Sequence, residues 1–134
     1  MRVVPLTAAL LEATAPDAGT IAERLLVDGA SWCAVDDSGC PIMAGGAVPF
    51  WPGTAEVWIA QGPAAPGRER LVALLTWRYL QQLQGRFRRV QATVQAADEP
   101  AFRLLARFGF EFEGVLRAFG PGGEDHFMMA RVCA

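Results

Sequence analysis

Residues Asp98 to Asp125 read DEPAFRLLARFGFEFEGVLRAFGPGGED, and this stretch decides the fold. Asp98 stands where a helix N-cap belongs, since its carboxylate can accept from a free N–H of the first turn. Glu99 adds negative charge at the positive end of the helix dipole. Pro100 fits the first turn, where a missing N–H costs nothing. Phe102, Leu105 and Phe108, with Leu104 beside them, recur at helical spacing and form one apolar stripe; Arg103 and Arg107 lie off it. Gly109 ends the helix as a left-handed residue. Glu111 to Arg117 then begins as an alternating strand, Pro121-Gly122-Gly123 is a turn, and His126 to Val132 is a closing strand.

This order of helix, Gly, strand, turn and strand resembles the C-terminal third of the GNAT superfamily of N-acetyltransferases. It is most similar to the group that acetylates N-termini of ribosomal proteins. That group shows Asn, a helix, Gly-Phe, then Glu-Gly-Val-Leu-Arg, a Gly-containing turn, an Asp and a last strand. The matching positions here are Asp98, Gly109-Phe110, Glu113 to Arg117, Gly122-Gly123 and Asp125. Asp98 departs from the pattern, although Asp and Asn both cap.

The remaining chain is consistent with that fold. Arg2 to Leu6 reads as a strand, and Thr7 caps a short helix through Thr14. Asp17 or Thr20 starts a second helix, with Ile21, Leu25 and Leu26 on one side, ending before Gly29. Trp32 to Val35 is a strand, turned by Asp36-Asp37-Ser38-Gly39 into Pro41 to Phe50. Gly45-Gly46 inside that strand marks a bulge or a close approach. Pro52-Gly53 turns the chain into a strand over Ala55 to Ala60. A long helix is predicted from Arg68 to Gln84, with Leu71, Leu74, Leu75, Tyr79, Leu80 and Leu83 as its apolar side. Phe87 to Gln95 is a strand. The order β-α-α-β-β-β-α-β-α-β-β is that of an α/β (α+β) mixed-sheet, GNAT-like acyl-CoA N-acyltransferase fold. The length of 134 residues suggests one domain spanning 1–134.

The resemblance implies an acetyl-CoA site between the fourth and fifth strands. There the fourth strand pairs with the pantetheine arm. A Gln/Arg-x-x-Gly-x-Gly/Ala loop at the start of the long helix holds the pyrophosphate on free N–H groups. The corresponding residues are Ile59, Ala60, Gln61, Gly62, Gly67 and Arg68. Between them the motif is degraded. Ala64 and Pro66 stand at the two Gly positions, and proline has no N–H to give. Gly67 and Arg68 still offer one donor and one cation. Many family members place a Tyr in the last helix to protonate the leaving thiolate, and Leu105 occupies that position here. Glu56, opening the fourth strand, is the candidate general base for an attacking amine, set against an ordinary solvent-facing role.

Composition narrows the partners. The hydrophobic fraction is 52% and the mean hydropathy positive, which suggests apolar surface used in self-association or docking, or a well-covered sheet. The net charge of −2 argues against bulk attraction to nucleic acid or anionic membrane. All twelve basic residues are Arg, many between Arg68 and Arg89. That cluster reads as a solvated helix face, or as a patch for CoA phosphates or an acidic partner. Cys33, Cys40, Cys133 and His126 lack metal-site spacing, and the odd thiol count suits a reducing compartment. Pro5 and Glu12 break the N-terminal apolar run, so a strand and helix are expected there, not a signal peptide.

Two readings follow. The first is a GNAT-fold structural or interaction subunit without cofactor, a homo-oligomer or a member of a larger assembly. Small GNAT-like virion components of tailed phages are similar in length and in the altered loop, and the location would then be a virion. The alternative is a cytoplasmic N-acetyltransferase moving acetyl from acetyl-CoA directly to a primary amine in a ternary complex.

Overall fold

The structure, a computed structural model, describes residues 1–16, 25–26 and 31–133. Its elements with described bounds are β1 (Arg2–Pro5), α1 (Ala8–Thr14), β2 (Ser31–Val35), β3 (Pro41–Trp51), β4 (Thr54–Gln61), α2 (Glu69–Leu83), β5 (Arg89–Gln95), α3 (Glu99–Arg107), β6 (Glu111–Leu116) and β7 (His126–Val132). Of the helix expected over residues 17–28, all but Leu25 and Leu26 lie outside the described residues. The strands form a seven-stranded mixed sheet in the order β1-β2-β3-β4-β5-β7-β6. β4 and β5 run parallel, while β1–β2, β2–β3, β5–β7 and β6–β7 pair antiparallel. The described residues cluster into two compact units, Met1–Val48 with Val57–Tyr79, and Pro49–Glu56 with Leu80–Ala134.

In the first unit, Thr7 caps α1 by accepting from the Leu10 N–H. Asp36 shapes the β2–β3 turn, its Oδ1 accepting from the N–H groups of Ser38 and Cys40. β3 is buried continuously from Pro41 to Ala47, as expected of a strand covered on both faces. One core cluster joins Ala34, Ile42, Met43, Ala65, Val72 and Leu75. Another joins Cys33, Val35 and Ala44 and is flanked by Leu6, Leu10 and Trp58. The glycine signal in β3 is a close approach. A Cβ on Gly45 would stand 2.8 Å from Ile59 Cδ1 and 2.9 Å from Trp32 Cζ2. The β2–β3 register shift falls instead between Ala34 and Val35. The inward face of α2 differs from the expected stripe at three places: Val72 and Thr76 are buried, whereas Leu74 is exposed. Thr76 is tolerated inside because its hydroxyl donates to the Val72 carbonyl at 2.8 Å.

In the second unit, α3 begins and ends as its sequence predicts. Asp98 accepts from the Ala101 N–H, and Gly109 has a φ of 91°. The apolar stripe of α3 is only half-buried, and Phe102 meets the rings of Phe112 and Phe127. The buried centre is Leu80, Leu83, Val90, Phe110 and Met129, with one charged side chain among them. Arg131, 9% exposed, donates to the carbonyls of Leu80 at 2.8 Å and Phe108 at 3.3 Å. Its guanidinium also lies 5.7 Å from the Phe110 ring centroid. Phe108 caps the C-terminal end of α3, where a cation suits the helix dipole. Arg131→Ala is expected to destabilise the protein by about 3 kcal/mol, because a buried and a part-buried carbonyl lose their donor and a void opens. Chemical denaturation checks this, and a cost under about 1 kcal/mol would contradict it.

Candidate functional site

The loop that leads into α2 accounts for every one of its backbone donors from residue 62 to residue 68. Gly62 N–H donates to the Ile42 carbonyl at 2.8 Å, and Ala64 N–H to the Pro41 carbonyl at 3.0 Å. Ala65 N–H donates to the Gly62 carbonyl, and Arg68 N–H to the Ala65 carbonyl. Pro63 and Pro66 carry no N–H. The Gly67 N–H, with φ at 83°, donates to the Glu69 carboxylate at 3.1 Å. Glu69's own backbone N–H and then that of Gly67 hold its carboxyl below the usual carboxylate range. A side-chain anion therefore sits where the N-terminus of a long helix would otherwise receive a ligand's anion.

Each residue expected to hold the cofactor has a definite place. Ile59 is exposed at 37% and abuts the Gly45 backbone; Ala60 is half-buried and Gln61 exposed. Gly62 is pinned to β3 by its bond to Ile42 and lies so close that a Cβ there would collide with the Pro41 carbonyl oxygen. Arg68 is exposed and turns back onto its own loop, donating to the Ala64 carbonyl at 2.6 Å. The donor set does not fit a pyrophosphate cradle: each N–H of the loop is absent or already bonded within the chain.

Glu56 belongs to a polar chain on the other unit. Gln91 Nε2 donates to Glu56 Oε1 at 2.9 Å, and Arg89 Nε donates to Gln91 Oε1 at 3.0 Å. Arg89 then makes a two-pronged pair with Glu113, at 2.9 and 2.6 Å. The hydrogen bonds from Arg89 hold the Glu113 carboxyl below its usual range. Glu56 is half-buried, so it is neither a plain solvent-facing residue nor a lone base. β4 and β5 supply this arrangement, since Glu56 and Gln91 are directly paired in the parallel ladder. Arg89 and Gln91 alternate onto one face of β5. Glu113 reaches them from the irregular point of β6, between Phe112 and Gly114.

Sequence reasoning missed Gln91, Arg89 and Glu69 as members of these sites. The period-two spacing of Arg89 and Gln91 was the available signal for the first two. For Glu69 it was a carboxylate two residues past a turn glycine at a helix start. Leu105 is half-buried, and Tyr79 packs its ring on Trp32 at 5.4 Å. His126 is mostly buried, its ring against Phe119 at 5.1 Å and its Nε2 3.7 Å from Glu124 Oε1. Among the described residues no three His, Cys, Asp or Glu side chains gather as a metal site would require, and no helix is long and apolar enough to cross a membrane.

No family model and no curated protein matches this sequence. Solved structures do. A GNAT family acetyltransferase from Elizabethkingia anophelis with acetyl-CoA bound superposes with a TM-score of 0.76 at 14% identity, over 98% of this chain and 97% of that one. A protein assigned as a phosphinothricin N-acetyltransferase gives 0.78 at 19% identity, over 99% and 98%. The ribosomal-protein-alanine N-acetyltransferase from Brucella melitensis gives 0.73 at 18%, over 99% and 100%. The chain has the fold of the GNAT N-acetyltransferases.

Two predictions follow from these geometries. Gly62→Ala should destabilise the fold by about 2 kcal/mol or more, because its Cβ would collide with backbone and not with a movable side chain; an unchanged denaturation midpoint would contradict this. Glu113 has a folded pKa below its unfolded one, so the pair stabilises fully above the carboxylate range. That contribution is lost as pH falls through the folded value. Arg89→Gln should therefore lose less stability than wild type between neutral and acidic pH. Equal slopes in a pH series of denaturation curves would contradict it.

Proposed function

We propose that this chain is a non-catalytic GNAT-fold subunit that acts by binding other protein chains, its cofactor loop having become a structural clamp. The single observation that carries this reading is the closed donor set from Gly62 to Arg68, with Glu69 in the place of the ligand anion. Opening the loop would break at least the Gly67–Glu69 contact. Reaching further donors would detach Gly62 and Ala64 from β3. The half-exposed apolar side chains of Phe50, Trp51, Phe112, Phe119 and Val132 agree with a surface used for assembly. The likeness of the sequence to small tailed-phage virion proteins makes a phage particle one setting for such a subunit.

The competing reading is an N-acetyltransferase acting on a primary amine. It draws on the fold shared with the acetyl-CoA-bound protein and on a polar network around Glu56. Thermal melting with acetyl-CoA separates the two. A ligand at a hundred times its dissociation constant stabilises by about 2.7 kcal/mol, which raises the midpoint of a domain this size by roughly 10 °C. No shift at millimolar acetyl-CoA is the expected result. A clear shift, abolished by Gly67→Val, would establish a working cofactor loop and overturn the proposal.

A further inference from the structure

Within the first unit, α2 buries one side and leaves the other to solvent. Val72 and Leu75 belong to the core, whereas Arg70, Leu74, Trp77 and Arg78 are exposed. At about 100° per residue these four fall on one side of the helix, opposite the buried pair. Leu74 stands at the middle of that side and is 42% exposed, and Trp77 beside it is 37% exposed. Helix formation does not require a leucine there, since glutamine or glutamate would serve nearly as well.

Two rows of side chains cross at Leu74. The row spaced by three residues holds Leu71, Leu74 and Trp77 and is apolar. The row spaced by four holds Arg70, Leu74 and Arg78, so a cation flanks the apolar centre one turn before and one turn after. Among the described residues neither arginine has an ion-pair partner. The acidic residue of α2, Glu69, lies off this side, and its carboxylate accepts from the Gly67 N–H at 3.1 Å. The exposed side therefore carries apolar anchors and positive charge, with no carboxylate to answer it.

We infer that this side of α2 docks an acidic amphipathic helix of another protein. Its spacing says what fits. Arg70 and Arg78 are separated by about 12 Å along the axis. A partner helix with the pattern Glu-x-x-x-Leu-x-x-x-Glu spans the same length, and two such four-spaced ridges pack side by side at a common crossing angle. Its carboxylates then meet the arginines while its leucine lies against Leu74 and Trp77. A second copy of the chain does not fit by the same side, because cation would face cation. A phosphate backbone would leave Leu74 and Trp77 uncovered, and the net charge of −2 opposes attraction to anionic lipid. With two exposed apolar side chains the contact is small and transient. This inference rests on the interaction-subunit reading above and names the chemistry of its partner.

Fluorescence anisotropy of a labelled, alanine-based helical peptide carrying Glu-x-x-x-Leu-x-x-x-Glu, titrated with the whole chain, tests it. Saturable binding that weakens with salt is expected. Arg70→Glu, Arg78→Glu and Leu74→Ala should each weaken it by roughly tenfold. Their thermal midpoints should stay near that of wild type, because all three side chains are exposed. A peptide with Lys in place of both Glu should fail to bind wild type and should bind the R70E/R78E double variant. No saturable binding below millimolar concentration, equal binding of the Lys peptide to wild type, or affinity unchanged in all three single variants would overturn the inference. So would binding of the chain to phosphatidylcholine vesicles containing phosphatidylserine in place of the peptide. Acetyl-CoA enters none of these measurements, so failure of the docking side and failure of the non-catalytic reading are told apart.

Discussion

The contact that fixes the loop before α2 is the seating of Gly62 against Pro41. The glycine lies so close to a carbonyl oxygen that no Cβ fits between them. Two backbone bonds, to Ile42 and Pro41, hold the same segment to β3. This fixes the start of the loop, and Pro63 and Pro66 narrow what the rest of it can do. The remaining N–H groups then find acceptors inside the turn, with Glu69 answering the last. A buried or half-buried backbone donor must be paired somewhere, and here the chain supplies every partner itself. The fold is shared with acetyl-CoA-binding proteins, but the donors that make such a loop a phosphate cradle are engaged in holding the fold together.

A chain of polar contacts also links three strands in the second unit. Glu56 is approached by Gln91, which is oriented by Arg89, which is anchored by Glu113. Such a chain fixes side chains of β4, β5 and β6, reaching across β7, and resists acid only while Glu113 stays ionised. Arg131 is the counterpart in the interior. It is a buried cation answered by two carbonyls and an aromatic face, and among the described residues no carboxylate pairs with it. Through these bonds it links α2 and the end of α3 to β7, and its removal would take away the donor of both carbonyls.

Much of the fold was legible because its signals are local. Asp98, Pro100 and Gly109 each have a physical reason to mark a helix end, and each does so. Thr7 before α1, and Asp36 to Gly39 between two strands, are of the same kind. The inward face of α2 was read less well, because Leu74 and Thr76 have the wrong polarity for where they point. Only the Thr76 hydroxyl bond to Val72 makes the buried choice acceptable. In the site, the damage done by Ala64 and Pro66 was visible in the letters. That the surviving donors of Gly62 and Gly67 are also taken was not, since their acceptors are carbonyls of β3 and the side chain of Glu69. Glu56 was found on the fourth strand, but its partners come from β5 and from the irregular point of β6. A sequence states neither the register of a parallel pair nor the position of a bulge.

The most direct measurement is amide hydrogen exchange, read by NMR residue by residue, for Gly62, Ala64, Ala65, Gly67 and Arg68. A loop whose donors are held within the chain predicts slowed exchange at Gly62 and Ala64 in the free protein, with no further change when acetyl-CoA is added. Unprotected exchange at these amides in the free protein, becoming protected with acetyl-CoA, would show that the donors are available after all and would contradict the account at its centre.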